Sequence, residues 1–190
     1  MTARLAGYLS AANPRQNIAL VKEGDGWGPR SPEDAITDLN ELVMEDLETD
    51  HYFTMVLGYI DPATGKVTLA QAGHPHPALQ RTDGSVEFIG EGGLPVGLIP
   101  GAYYDNLELT LAPGERLMIL SDGFIECTLA NGEFLGEEGL VQLLEKARDL
   151  SGTALLETLV WDLAQALGED GAFQDDVSGI AVEYFGNPKS

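Results

Sequence analysis

The chain has 190 residues, 44% hydrophobic and 22% charged, with 31 acidic against 10 basic side chains and a formal net charge of -21. That length suits one domain with a real core, and a field of that sign repels nucleic acid and anionic membrane, which excludes both as primary partners while favouring a site that gathers divalent cations. The lone cysteine, Cys127, leaves no internal disulfide and no cysteine cluster for zinc, and His51, His74 and His76 make no HExxH-type site.

Met1-Thr2-Ala3-Arg4 lacks a signal peptide's hydrophobic segment, and no apolar run approaches the length of a membrane span, so a soluble, cytoplasmic protein is expected. Leu5, Tyr8, Leu9 and Ala12 recur at helical spacing and predict a helix over 2–12, ended by Asn13-Pro14. Residues 13–30, rich in Gly, Pro and polar side chains, read as a long loop or flap, interrupted only by Ile18-Ala19-Leu20-Val21. Ser31-Pro32-Glu33-Asp34 predicts a helix start, with Ser31 as N-cap, Pro32 in the first position and acids in the first turn. Ala35, Leu39, Leu42 and Val43 carry its apolar stripe to about Leu47.

From Tyr52 the period changes. Tyr52 to Ile60, the turn Asp61-Pro62-Ala63-Thr64-Gly65, and the alternation at Val67 and Leu69 predict a β-hairpin. Ala78 to Arg81, Asp83-Gly84, and Val86 to Ile89 predict a second. Leu107, Leu109 and Leu111 alternate with polar residues, and the Pro113-Gly114 turn leads into Leu117–Leu120, a run apolar enough to be buried on both faces. Successive hairpins mean antiparallel pairing, which rules out a doubly wound parallel sheet, and the glycines at 90, 92, 93 and 97 follow no dinucleotide fingerprint. Leu140, Leu143, Leu144 and Ala147 mark one helix; Leu155, Leu156, Leu159, Val160, Leu163 and Leu167 mark another, stopped by Gly168. Gln174-Asp175-Asp176 precede a last strand, Val177 to Phe185. The fold class is α+β, with helices covering sheet faces from outside.

Two acidic sites stand at strand ends: Asp122 at the exit of the Leu117–Leu120 strand and Asp175-Asp176 at the entrance of the last one. Taken singly, each reads first as a polar turn. Taken together, without Cys or His neighbours, they form the oxygen donor set that Mg²⁺ or Mn²⁺ requires, and two such ions about 3.5–4 Å apart can hold a hydroxide for in-line attack on phosphorus.

The segment from Phe53 to Tyr184 resembles the metal-dependent PP2C-type serine/threonine phosphatases of the SpoIIE/RsbU branch. The resemblance is carried by Phe53-Thr54-Met55, Ala72-Gly73-His74-Pro75 with Pro77, and Leu94-Pro95-Val96-Gly97-Leu98. It continues through Leu111-Ala112-Pro113-Gly114-Glu115-Arg116, Ser121-Asp122-Gly123 with Glu126, Phe134-Leu135-Gly136 and Asp175-Asp176-Val177-Ser178, and Ser31-Pro32 with Leu39-Asn40 extends it upstream. It implies an αββα sandwich, two stacked antiparallel sheets flanked by helix pairs, formed here by a single domain over 1–190 that represents the family domain's C-terminal portion. It further implies hydrolysis of phosphoserine or phosphothreonine on a STAS-type anti-anti-sigma protein through a Mn²⁺ or Mg²⁺ centre, under an upstream sensor or regulatory domain.

Carried over residue by residue, the resemblance makes Asp122 and Asp175 the catalytic metal ligands. Gly123 offers a backbone contact to a metal-bound water, and Asp176 is a ligand or a neighbouring acceptor. His74 is expected to fix its hairpin, and Glu126 to be solvated or to support a ligand from behind rather than bind the ion itself. The family also carries a Gly-Asp element and an Asp-x-x-Gly-His-Gly element on two earlier strands, including the carboxylate that bridges the ions. Neither occurs in Met1 to Asp50, where Gly24-Asp25-Gly26 is the nearest match and falls out of order. The expectation is therefore an incomplete ligand set with weak activity, in a fragment, a mis-started product or a non-catalytic pseudophosphatase that binds a regulatory partner. Sheet edges bared by the missing strands are expected to favour a homodimer.

Overall fold

The structure is a computed structural model that describes residues 7–10, 12–46, 51–168, 173 and 175–187. These form two compact units, one drawn from Met1–Ile60, Val67–His74 and Gly92–Leu109, the other from Asp61–Lys66, Pro75–Glu91 and Thr110–Ser190.

In the first unit, Gly7 and Tyr8 are helical, while residues 1–6 and 11, on which most of the helix predicted over 2–12 falls, lie outside the described residues. The helix has ended by Leu9. Ser10 Oγ accepts the Ala12 amide at 3.3 Å, a local bond that competes with continued helix, and the Ile18 amide reaches the Tyr8 carbonyl at 2.9 Å. Within the stretch read as a loop or flap, β1 (Leu20–Glu23) and β2 (Gly26–Pro29) pair antiparallel across the Gly24-Asp25 turn. Four-residue strands, one of them Gly-Trp-Gly-Pro, offer no alternation from which a hairpin can be read.

Helix α1 (Pro32–Asp46) begins where predicted, but its start is held differently. The Glu33 amide donates to Asn106 Oδ1 (3.1 Å), the Asn106 amide donates to Glu33 Oε2 (3.1 Å), and Asn106 Nδ2 donates to Ser31 Oγ (2.7 Å). The capping oxygen for Glu33 thus comes from a strand 73 residues downstream, and the predicted N-cap, Ser31, serves as an acceptor for that same side chain. Strands β3 (Met55–Ile60), β4 (Lys66–Ala72) and β7 (Asn106–Thr110) form a sheet in the order β3-β4-β7, with Met55 opposite Ala72 and Ile60 opposite Val67. Ile36, Leu39 and Val43 of α1 share a core with Ala70, Ala72, Val96, Ala102 and Tyr104, and Tyr8 packs against it. Asn40, wholly buried, accepts the Gly97 amide (2.8 Å) and donates to the Ile99 carbonyl (3.0 Å), which fixes the Leu94–Leu98 motif to the helix. Gly97 sits at φ +83°, and a Cβ there would lie 2.7 Å from Val43 Cγ1.

In the second unit, β5 (Ala78–Gln80), β6 (Val86–Phe88), β8 (Arg116–Leu120) and β9 (Gly179–Glu183) form an antiparallel sheet in the order β6-β5-β8-β9. Helices α2 (Gly136–Lys146) and α3 (Gly152–Leu167) cover it. Leu140, Leu144, Leu155, Leu159 and Leu163 are all but inaccessible and pack with Ala78, Met118, Leu120 and Phe124. Each buried leucine contributes about 1.5–3 kcal/mol to holding the helices on the sheet. Lys146 Nζ meets Asp162 Oδ2 at 2.8 Å across the two helices. The predicted hairpins, strands and paired leucine helices are all present, and the antiparallel α+β class holds.

Candidate metal centre

The middle of β8 reads Leu117-Met118-Ile119-Leu120, of which Leu117, Met118 and Leu120 are buried, and β9 lies beside it with Leu120 opposite Gly179. One residue further on, the ladder changes character. The Ser121 amide still donates to the Ser178 carbonyl at 2.9 Å, but the Ser178 amide donates to Ser121 Oγ (3.0 Å), not to the Ser121 carbonyl. That carbonyl instead accepts the Phe124 amide at 3.1 Å, the first bond of a 3₁₀ turn over Asp122–Phe124. The Ser121 hydroxyl proton goes to the Asp176 carbonyl (2.9 Å).

Asp122 therefore stands at the start of a short turn, exposed to solvent, with Oδ1 accepting the Gly123 amide at 3.0 Å. Its carbonyl accepts the amides of Ile125 (2.7 Å) and Glu126 (2.8 Å). Gly123 is buried against the segment that precedes β9: a Cβ there would lie 2.6 Å from the Asp176 carbonyl oxygen and 3.2 Å from Val177 Cγ2. The absent side chain is what allows the two acidic segments to touch. Asp175 and Asp176 are both exposed, and Asp175 Oδ1 accepts the Asp176 amide at 2.7 Å. The two strand ends thus meet at one end of the second unit's sheet.

The remaining candidates are placed as follows. Glu126 is exposed. Cys127 is 2% exposed within the leucine core, and burial pushes its thiol up. His51 is exposed, and His76 Nδ1 stands 3.4 Å from Glu137 Oε1. The His74 carbonyl accepts from Gln71 Nε2 at 3.4 Å just beyond β4. Gly24-Asp25, the nearest match to the family's Gly-Asp element, is the β1–β2 turn in the other unit.

The chemistry of Asp122, Asp175 and Asp176 fits a hard divalent cation in donor type. In donor number it falls short: among the described residues no three His, Cys, Asp or Glu side chains come together closely enough to hold an ion. What the described residues present is two exposed acidic segments in backbone contact. Ser121, which joins the two segments, belongs to the Ser121-Asp122-Gly123 piece of the resemblance but receives no role from the sequence, because its partners lie 55 and 57 residues downstream.

A polar cavity of about 360 Å³ at the opposite end of the same sheet is lined by Arg81, Arg116 and Arg148. Arg81 is bonded to Glu87 and to both oxygens of Glu115 (3.2 Å each), and these carboxylates raise its already high pKa further. Arg116 donates to the carbonyls of Leu150 (2.8 Å) and Arg148 (2.9 Å). These guanidinia fasten turns to strands.

Comparison with known families and proteins places the chain as a whole. The profile of the family described as Stage II sporulation protein E (SpoIIE) matches residues 3–185. Protein IcfG of Synechocystis is 26% identical over 164 residues, which are 83% of this chain and 25% of IcfG. The phosphoserine phosphatase RsbU of Bacillus subtilis is 24% identical over 152 residues, 80% of this chain and 44% of RsbU. The chain thus spans between a quarter and a half of these relatives' length. Among solved structures, the SiaA-PP2C domain of Pseudomonas aeruginosa superposes with a TM-score of 0.68 at 22% identity, covering 83% of this chain and 62% of that domain. That likeness establishes the fold as the PP2C phosphatase fold. With the fold and nearly the whole length of the chain matched, this protein belongs to the SpoIIE family.

Proposed function

We propose that this chain is part of a metal-dependent serine/threonine protein phosphatase that acts on a phosphorylated bacterial regulatory protein of the STAS anti-anti-sigma type, in the cytoplasm, under a regulatory domain. One observation carries the reading: the Asp122 turn lies against the Asp176 backbone, through a gap that only glycine at 123 allows. RsbU, similar over 80% of the chain, is a phosphoserine phosphatase, which supports the substrate class. Among the described residues no helix is long and apolar enough to cross a membrane.

Asp122 and Asp175 are the proposed ligands of Mn²⁺ or Mg²⁺, with Asp176 as a further acceptor. The Gly123 amide is given to Asp122, so its carbonyl is the backbone group left to meet a water beside the ion. When bound, such an ion acidifies water and offsets charge on phosphoryl oxygens. The residues of this chain hold and orient it. Their partial donor set predicts weak Mn²⁺ affinity and little turnover from these 190 residues alone. The same shortfall favours a second reading, a pseudophosphatase that binds its phosphoprotein without hydrolysing it.

Calorimetric Mn²⁺ titration of the chain and of its Asp122→Asn and Asp175→Asn variants, beside turnover of a phosphorylated STAS protein, tests this. Each substitution is expected to weaken Mn²⁺ binding by roughly tenfold or more. Unchanged affinity in both would reduce the aspartates to turn residues. Micromolar affinity with ready turnover would instead sink the incomplete-site account, and tight phosphoprotein binding without turnover would favour the pseudophosphatase.

A further inference from the structure

We infer that Ser121 is a positioning residue for this centre: its hydroxyl sets where the Asp175-Asp176 segment lies against Asp122. The inference rests on the metal reading above and adds to it the part that fixes the spacing of the two acidic segments.

Three demands fall on one residue. Position 121 must continue the pairing of β8 with β9, start the 3₁₀ turn that presents Asp122, and hold a segment without strand structure of its own. The 3₁₀ turn draws the Ser121 carbonyl toward Phe124, away from the facing strand. Here the carbonyl takes the Phe124 amide (3.1 Å), and the hydroxyl stands in for it in the ladder, accepting the Ser178 amide (3.0 Å). A hydroxyl has one proton to give as well as lone pairs to accept with, and that proton goes to the Asp176 carbonyl (2.9 Å). The Asp176 carbonyl is the same oxygen that approaches Gly123 most closely. Ser121 draws the segment inward, and the missing side chain at 123 lets it arrive.

The chemistry dictates which substitutes serve. Alanine removes both bonds, and because the freed Ser178 amide and Asp176 carbonyl belong to exposed residues, water replaces the lost partners. The fold therefore survives, and the loss is one of local order. Threonine keeps a donor and an acceptor at the same atom.

The experiment uses the whole chain and two readouts. In metal-free protein, amide hydrogen exchange at Ser178 is expected to quicken about fivefold to tenfold in Ser121→Ala and to stay near the parent rate in Ser121→Thr, with the urea midpoint barely moved. Titration with Mn²⁺ alone is expected to show affinity about tenfold weaker in Ser121→Ala, with recovery in Ser121→Thr. Unchanged exchange at Ser178 in Ser121→Ala overturns the inference. So does weaker Mn²⁺ binding in Asp122→Asn alongside parental binding in Ser121→Ala. Parental Mn²⁺ binding in Asp122→Asn marks a different failure, that of the metal reading itself.

Discussion

A methyl group at position 123 would have nowhere to go. The Asp176 carbonyl oxygen, 2.6 Å from the Cβ position, is backbone and cannot swing aside, so the turn and the segment must part. Overpacking of this kind costs about 1–3 kcal/mol. Gly123→Ala is therefore expected to lower the urea midpoint and weaken Mn²⁺ binding together, as read by circular dichroism and calorimetry. This sets it apart from Ser121→Ala, which is expected to weaken Mn²⁺ binding and loosen Ser178 while barely moving the urea midpoint. At this scale the acids were legible in the sequence: Asp122 and Asp175 follow or precede apolar runs, where a carboxylate is conspicuous. The residue that joins them was not, since a serine shows its use only once the chain has folded back 55 positions.

At the scale of elements, two hairpin turns are closed by aspartates. Asp61 accepts the Ala63 amide (2.8 Å) and the Thr64 hydroxyl (2.7 Å) between β3 and β4, and Asp83 accepts the hydroxyl (2.6 Å) and amide (2.9 Å) of Ser85 between β5 and β6. Thr64 first, then the backbone, holds the Asp61 carboxyl below the ordinary carboxylate range, and Ser85 does the same for Asp83. A depressed carboxyl contributes stability that is fully present above its unfolded value and is lost as pH falls through the folded one. Thermal melts between about pH 5 and about pH 2 should show that acid limb, and Asp61→Asn with Asp83→Asn should flatten it. An identical limb in the double variant would remove these turns from the account. The same turns explain why both hairpins were readable in advance: their chemistry is complete within five or six residues. The β1–β2 hairpin has its Gly24-Asp25 turn, but its strands are four residues long and one is Gly-Trp-Gly-Pro, so no alternation marked them and it passed for a loop.

Across the whole molecule, the described strands leave sheet edges open: β3 and β7 border one sheet, β6 and β9 the other. Beside the β9 edge Ile180 is 61% exposed and Phe185 79%. Such an edge is a template for another chain, and self-association is expected despite a net charge of -21. Because like charge opposes it, association should strengthen with added salt. Sedimentation equilibrium across a salt series checks this, with Ile180→Lys expected to restore the monomer; a monomer at high concentration in every salt overturns it.

The cap of α1 carries a consequence for how the molecule comes into being. Its Glu33 amide is met by Asn106 of β7, a side chain that does not exist on a growing chain until 73 more residues have been added. Until then the Ala35 amide has the Ser31 carbonyl (3.0 Å), but the Glu33 amide lacks this partner, and short helices in water are marginal. The cap of the helix is consequently complete only once β7 has been made and Asn106 has been brought to Glu33 and Ser31.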